Sequence, residues 1–171
     1  MSFPQTVLVL GGARSGKSRH AEALVTALPA PWTYIATAEA RDEEMRARIE
    51  EHKARRATGW RSFEAPLEMP EALMRAPGSA PVLVDCLTLW LTNLILAEQD
   101  LEPAFTALEE ALAKRQTLTV LVGNEVGLGI VPESALGRRF RDEAGHLHQR
   151  LAARAAGVVF MVAGLPMIVK G

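Results

Sequence analysis

Val7-Leu8-Val9-Leu10-Gly11-Gly12-Ala13-Arg14-Ser15-Gly16-Lys17-Ser18 is the stretch that decides the fold. Val7–Leu10 is continuously apolar and rich in β-branched residues. A run that short and that apolar reads as a strand buried on both faces, as in parallel sheets. Gly11–Ser18 has the form G-x-x-x-x-G-K-[ST]. Beyond it, Ala21, Leu24, Val25 and Leu28 recur at helical spacing until Pro29 stops the pattern. Strand, glycine loop and helix in that order make a phosphate cradle. Gly11 and Gly16 allow backbone geometry closed to other residues. Successive backbone N–H groups then converge on phosphate oxygens. The helix beginning near Lys17 aims its positive end at the same anion. Lys17 has the reach for β- and γ-phosphates, and the Ser18 hydroxyl suits a magnesium ion. The bland alternative is a glycine turn that holds nothing; a Lys and a Ser at these positions argue against it.

Outward from that stretch, strands and helices alternate. Thr33–Ala36 reads as the next strand. Glu39–Arg56 is a charged helix with acid-first pairs four apart at Asp42/Arg46, Glu44/Arg48 and Glu51/Arg55, stopped at Gly59. Pro66–Ala76 is a short helix, Val82–Val84 a third strand, and Leu87–Ala97 a helix apolar nearly all round. Glu102–Arg115 is amphipathic, with Pro103 near its first turn. Thr117–Val122 is the fourth strand, Gly123–Pro132 a glycine-rich loop, and Glu133–Ala156 a long helix. Val158–Ala163 and Met167–Val169 close the chain as strands; the Gly164–Pro166 link is too short for a crossover, so these two pair antiparallel. The pattern predicts one α/β domain over residues 1–171: a mostly parallel sheet with helices on both faces.

Composition narrows the function classes. A net charge of −1 argues against a nucleic-acid binder working by bulk charge, but not against a small polyanion held by local cations. Cys86 is the single cysteine, which excludes an internal disulfide and a cysteine metal site and fits a reducing cytoplasm. The N-terminal Met1–Gly12 has no basic region and reads as no signal peptide. No apolar stretch approaches the ~20 residues of a membrane span.

Other residues carry candidate chemistry. Asp85 follows Val82–Val84 at the C-terminal end of a strand, where a parallel sheet binds its ligand. It is a magnesium partner or general base, or else a cap for the next helix. Asn124 and Glu125 open the glycine-rich loop at the same edge, near phosphate or in a lid; a tight turn is the alternative. Cys86 reads as a packing residue. Met45, Ile49, His52 and Arg56 share one helical face, bordered by Arg48. His52 is either a packed surface histidine or an imidazole nucleophile beside phosphate-binding cations. His20, His146 and His148 read as surface or packing residues.

Taken together, these stretches resemble the bifunctional adenosylcobinamide kinase / adenosylcobinamide-phosphate guanylyltransferase family of cobalamin biosynthesis. The likeness runs through Gly11–Glu22, Tyr34–Ala38, the Asp42–Met45 and Arg48–Arg56 signature, Trp60 and Glu64, Asn124–Pro132, Phe140–Asp142 and Gln149–Leu151. Two positions depart from the pattern. Ala57 stands where the family usually has Pro, and Asp85 where some members have Glu. The resemblance implies a RecA-like, P-loop NTPase sheet, a cytoplasmic homotrimer, and two reactions. The first phosphorylates adenosylcobinamide with ATP or GTP. The second moves GMP from GTP to adenosylcobinamide phosphate through a guanylylated histidine, His52 by its place in the motif. Carried over residue by residue, nucleotide contacts come from Gly11, Gly12, Ala13, Arg14, Ser15, Gly16, Lys17 and Ser18; from Thr37, Ala38 and Glu39; from Lys53, Ala54, Arg55 and Arg56; and from Glu64 and Asp85. Lys17, Asp85 and His52 are the catalytic set, with Mg2+ at Ser18 and Asp85. A P-loop kinase of another small hydroxyl compound, with His52 structural, and a non-catalytic nucleotide switch are the competing readings.

Overall fold

The computed structural model describes residues 3–39, 43 and 58–171. The first strand, β1, runs over Phe3–Gly11 and leads through the glycine loop into helix α1, Lys17–Thr26. Strands β2 (Trp32–Ala36) and β3 (Trp60–Glu64) follow, then α2 (Met69–Arg75) and β4 (Val82–Asp85). The remaining elements are α3 (Leu87–Leu96), α4 (Leu101–Ala113), β5 (Thr119–Asn124), α5 (Ala135–Arg154), β6 (Ala155–Val162) and β7 (Leu165–Lys170). They build a seven-stranded sheet of order β3-β2-β4-β5-β1-β6-β7. Every neighbouring pair is parallel except β6 and β7, which are antiparallel as the short link requires. Ala163 and Gly164, both at positive φ, make that tight hairpin turn.

The buried strands alternate their side chains between two cores, as a period of two dictates. On one face Val9, Tyr34, Leu83, Val120, Val122 and Val159 pack with Ala21 and Val25 of α1. On the other face Leu8, Ile35, Val84 and Leu121 lie under a larger layer that includes Leu73 of α2, Trp90 of α3, Leu108 of α4 and Leu147 of α5. Helices α4 and α5 are tied by charge. Arg150 forks onto Glu109 with its Nε and Nη2 at 3.0 Å each, and its Nη1 reaches Glu102 at 2.7 Å. Arg154 also bonds Glu109. The Arg150 hydrogen bonds hold the Glu109 carboxyl below its usual range.

Several sequence expectations need correction. Strand β3 was unmarked, because Trp60-Arg61-Ser62-Phe63-Glu64 is an edge strand with no buried residue and so lacks an apolar run. The fourth predicted strand starts later than Thr117. That residue's hydroxyl is engaged with Gly78 and Ala80 carbonyls, and pairing begins at Thr119 and continues through Gly123 to Asn124. The helix expected from Glu102 begins at Leu101, because the Asp100 carboxylate accepts the Glu102 N–H at 3.3 Å. The charged helix expected over residues 39–56 lies almost wholly outside the described residues.

Candidate active site

The parallel strands bring their C-terminal ends to one edge. In register across the sheet stand Glu64, Ala36, Asp85 and Val122, with Gly11 beside Asn124 two residues further on. A crevice outside such strand ends is where open α/β sheets bind ligands.

The glycine loop is built as its sequence demands. Gly11 has φ 152°, and a Cβ there would stand 2.7 Å from the Met161 carbonyl oxygen and 2.7 Å from Ser15 Oγ. Gly16 is the left-handed N-cap of α1, at φ 93°. The loop is braced from outside. The Gly164 N–H of the β6–β7 turn donates to the Ser15 carbonyl at 3.0 Å, and the Glu125 N–H to the Gly11 carbonyl at 2.9 Å. Lys17, only 7% exposed, curls back so that Nζ donates to the Gly12 carbonyl at 2.5 Å and meets Ser15 Oγ at 3.5 Å. Burial lowers its pKa, and the Asp85 charge opposes that. Ala13 and Arg14 are exposed on the loop's outer side, with Arg14 at φ 53°, and Ser18 is half-buried in the first helical turn.

Asp85 does not cap the following helix: the N-cap of α3 is Cys86, with no side-chain cap bond. The Asp85 carboxylate instead accepts the Tyr34 hydroxyl at 3.3 Å, on the same face as α1. The turn after Asp85 is held from both neighbouring strands. Thr37 Oγ1 accepts the Cys86 N–H at 2.8 Å and donates to the Cys86 carbonyl at 2.7 Å. Asn93 Nδ2 donates to the Thr37 carbonyl at 2.8 Å, and Asn124 Nδ2 to Thr88 Oγ1 at 2.7 Å. The Cys86 thiol is buried and pushed up to about 11 by that burial, which makes it the packing residue its surroundings predict.

Ser18 stands in the first turn of α1 and Asp85 at the C-terminal end of β4; a hydroxyl and a carboxylate are hard oxygen donors, the type that magnesium takes. No cluster of three or more His, Cys, Asp or Glu exists among the described residues. The fit is therefore to an ion carried largely by substrate phosphates rather than to an all-protein cage.

Comparison with known proteins gives the family. Residues 7–169 match the family described as cobinamide kinase / cobinamide phosphate guanyltransferase. The chain belongs to that family. It is 52% identical to the bifunctional adenosylcobalamin biosynthesis protein CobP of Pseudomonas aeruginosa, over 96% of each chain. It is 43% identical to CobU of Salmonella typhimurium, over 96% of this chain and 99% of the relative. In fold it is similar to the flagellar accessory protein FlaH of Methanocaldococcus jannaschii, at TM-score 0.55 and 12% identity, covering 99% of this chain and 80% of that one. It is also similar to an ATPase of a type III secretion system, at TM-score 0.54 and 13% identity, covering 92% of this chain and 51% of that one. These likenesses show the fold alone, a mostly parallel α/β sheet of the kind described above.

The structure brings the phosphate loop, Thr37, Ala38, Glu39, Glu64 and Asp85 to one edge, with Thr37 fully buried in its backbone contacts and Glu64 exposed. His52, Lys53, Ala54, Arg55 and Arg56 lie outside the described residues. His146 is a surface residue 3.6 Å from Glu143. His148 is a buried one, its Nε2 2.7 Å from where a Gly123 Cβ would stand. The sequence reading missed Tyr34, Thr88, Asn93 and Gly164 as supports of the site. Tyr34 carried a usable signal, since it stands two residues before Ala36 in a strand and so shares the Ala36–Asp85 face. The others bond across the fold, and no local pattern marks them.

Proposed function

We propose that this cobinamide kinase / cobinamide phosphate guanyltransferase family member works in two steps at one crevice, within one domain spanning residues 1–171. In the first, the acceptor hydroxyl of adenosylcobinamide attacks the γ-phosphorus of ATP or GTP. The bond to the β-phosphate bridging oxygen breaks, leaving ADP or GDP, and the hydroxyl proton goes to a base. Lys17 and the Gly11–Ser18 amides hold the phosphates, and Asp85 accepts the proton directly or through water. In the second, His52 attacks the α-phosphorus of a GTP, forming a P–N bond and releasing pyrophosphate. The phosphate of adenosylcobinamide phosphate then takes the GMP, giving adenosylcobinamide-GDP and restoring the imidazole. Lys53, Ala54, Arg55 and Arg56 flank that histidine, with Thr37, Ala38, Glu39 and Glu64 as further nucleotide contacts. Magnesium, held by Ser18 and Asp85, would neutralise phosphate charge. The working form in this reading is a cytoplasmic homotrimer, and the exposed apolar side chains of Leu165, Met167, Ile168 and Val169 on edge strand β7 offer it a contact surface.

The observation that supports this reading most directly is the buried Lys17, folded onto the glycine loop through the Gly12 carbonyl. The test uses α-labelled GTP without acceptor. Wild type should retain label after denaturation, in an acid-labile and base-stable bond. His52→Ala should retain none while still phosphorylating adenosylcobinamide. Label on the variant, or none on wild type, would leave a plain kinase.

A further inference from the structure

The loop between β5 and α5 combines firm feet with an apolar tip. At the first foot, the Gly127 N–H donates to Glu125 Oε1 at 2.5 Å, and Arg141 Nη2 donates to the Gly127 carbonyl at 3.2 Å. Val126 packs on the larger core. At the second foot, Arg138 Nη1 donates to the Pro132 and Glu133 carbonyls at 3.1 and 2.6 Å. Ser134 caps α5 through the Gly137 N–H at 3.1 Å. Pro132 lies so close to Gly137 that a Cβ there would meet it at 2.8 Å. Between these feet Leu128 is 82% and Ile130 98% exposed, and Val131 and Leu136 are more than half exposed.

Loops positioned by a rigid scaffold disproportionately carry binding residues. Residues 126–132, Val-Gly-Leu-Gly-Ile-Val-Pro, carry no charge and no polar side chain. The loop also starts at the catalytic edge: Glu125, the residue before Val126, donates its N–H to the Gly11 carbonyl of the phosphate loop at 2.9 Å. The acceptor in the proposed reaction offers its hydroxyl on a short arm of a macrocycle far larger than a phosphate crevice. The arm enters the crevice, so the macrocycle must rest on protein just outside it. Between its amide arms the macrocycle's rim carries methyl groups, which an apolar tip can contact and which a phosphate does not offer.

We propose that the Val126–Pro132 loop, fixed at its feet by Glu125, Arg138 and Arg141, is the platform on which the acceptor's macrocycle docks. This rests on the two-step reading above for the identity of the acceptor. Leu128 and Ile130 supply the apolar contact, and the anchored feet set the height of the ring so that its arm reaches the γ-phosphate side of Lys17.

The test is the full-chain double variant Leu128→Ser/Ile130→Ser, with Leu128→Met/Ile130→Leu as the conservative partner. Equilibrium dialysis with adenosylcobinamide, read by its visible absorbance, should show Kd raised at least about tenfold in the serine variant. The conservative variant should bind like wild type. GMP uptake from labelled GTP without acceptor should keep its wild-type rate, because that half-reaction involves no macrocycle. Sedimentation should give the wild-type mass. An unchanged Kd in the serine variant overturns the platform. Loss of assembled mass together with binding also overturns it, and makes the loop a subunit contact. If wild type takes up GMP but binds no adenosylcobinamide, the acceptor is wrong and the platform falls with it. If wild type binds adenosylcobinamide but takes up no GMP, the covalent step fails while the platform is still judged by Kd.

Discussion

Two buried cations stand at opposite edges of the sheet, and they are held in opposite ways. Lys17 lies at the C-terminal edge and Arg115 at the N-terminal edge; they are 7% and 6% exposed. Burial lowers the pKa of both. Arg115 is nearly saturated by acceptors on other segments. Its Nη1 donates to Ala76 and Pro77 carbonyls at 3.1 and 3.2 Å, and its Nη2 to the Ala80 carbonyl at 2.6 Å and Thr117 Oγ1 at 3.0 Å. Among the described residues, the Lys17 ammonium hydrogen-bonds within its own loop, to Gly12 and Ser15. A guanidinium forked over several carbonyls fixes distant stretches of chain to each other. An ammonium folded onto a glycine loop fixes little, and its donors can turn to an anion. The first arrangement stabilises the fold; the second leaves an ammonium whose donors can turn to a ligand.

Each cation can be removed to break this contrast. Lys17→Ala should cut both reactions by at least about 10²-fold, as removal of one preorganised electrostatic donor does. Its stability should shift by no more than about 1 kcal/mol, since Ala suits a helix start and no other segment loses a partner. Steady-state rates with GTP and a urea titration on the same samples test both halves, and near-normal turnover would refute the assignment.

Arg115→Ala should do the reverse. It leaves the Ala76, Pro77 and Ala80 carbonyls short of donors, a loss of about 3 kcal/mol at the usual cost of buried unmade hydrogen bonds. Rates per folded molecule should stay at wild type. Arg115→Lys should recover only part of the loss, because a point charge cannot span those acceptors. A fully stable Arg115→Ala would show that the fork holds nothing.

Asp85→Asn sharpens the catalytic side. The side-chain shape and the Tyr34 bond can persist while the charge goes. The expected sign is a several-fold higher magnesium requirement, about the effect of weakening one contact by 1 kcal/mol. A superimposable magnesium titration would remove Asp85 from metal binding.

His148 gives the smallest effect and adds a neutral buried group to the comparison. Burial holds its pKa below the ordinary histidine value, against the nearby Glu125 charge, so the folded protein keeps it neutral. Below about pH 6.5 the unfolded chain binds a proton that the folded one refuses, so stability present above that pH is lost as pH falls. The slope is at most about 1.4 kcal/mol per pH unit. His148→Leu should flatten the difference between urea midpoints at pH 7.5 and 5.5. Its Nε2 has no hydrogen-bond partner, so an apolar replacement strands nothing. A variant that keeps the full wild-type difference would assign the slope elsewhere.

The phosphate loop was legible because its chemistry is local. Backbone amides, two glycines, a lysine and a serine converge within one turn, and the sequence order alone sets that geometry. The buried strands and the closing antiparallel pair were legible for a similar reason: continuous apolar runs and a link too short for a crossover leave few choices. Edge strand β3 escaped because a solvated strand needs no apolar pattern; only pairing of Trp32–Ala36 with Trp60–Glu64 makes it a strand. Tertiary structure alone decided the rest. It chose Tyr34 as the partner of Asp85 across a span of 51 residues, and Arg115 as the clasp over Ala76–Ala80. It turned Asp85 from a possible helix cap into a crevice carboxylate, and set a firm base beneath an apolar loop. Those outcomes depend on which polar groups meet when the strands come into register, and a hydrogen bond between distant segments leaves no periodicity in the chain that forms it.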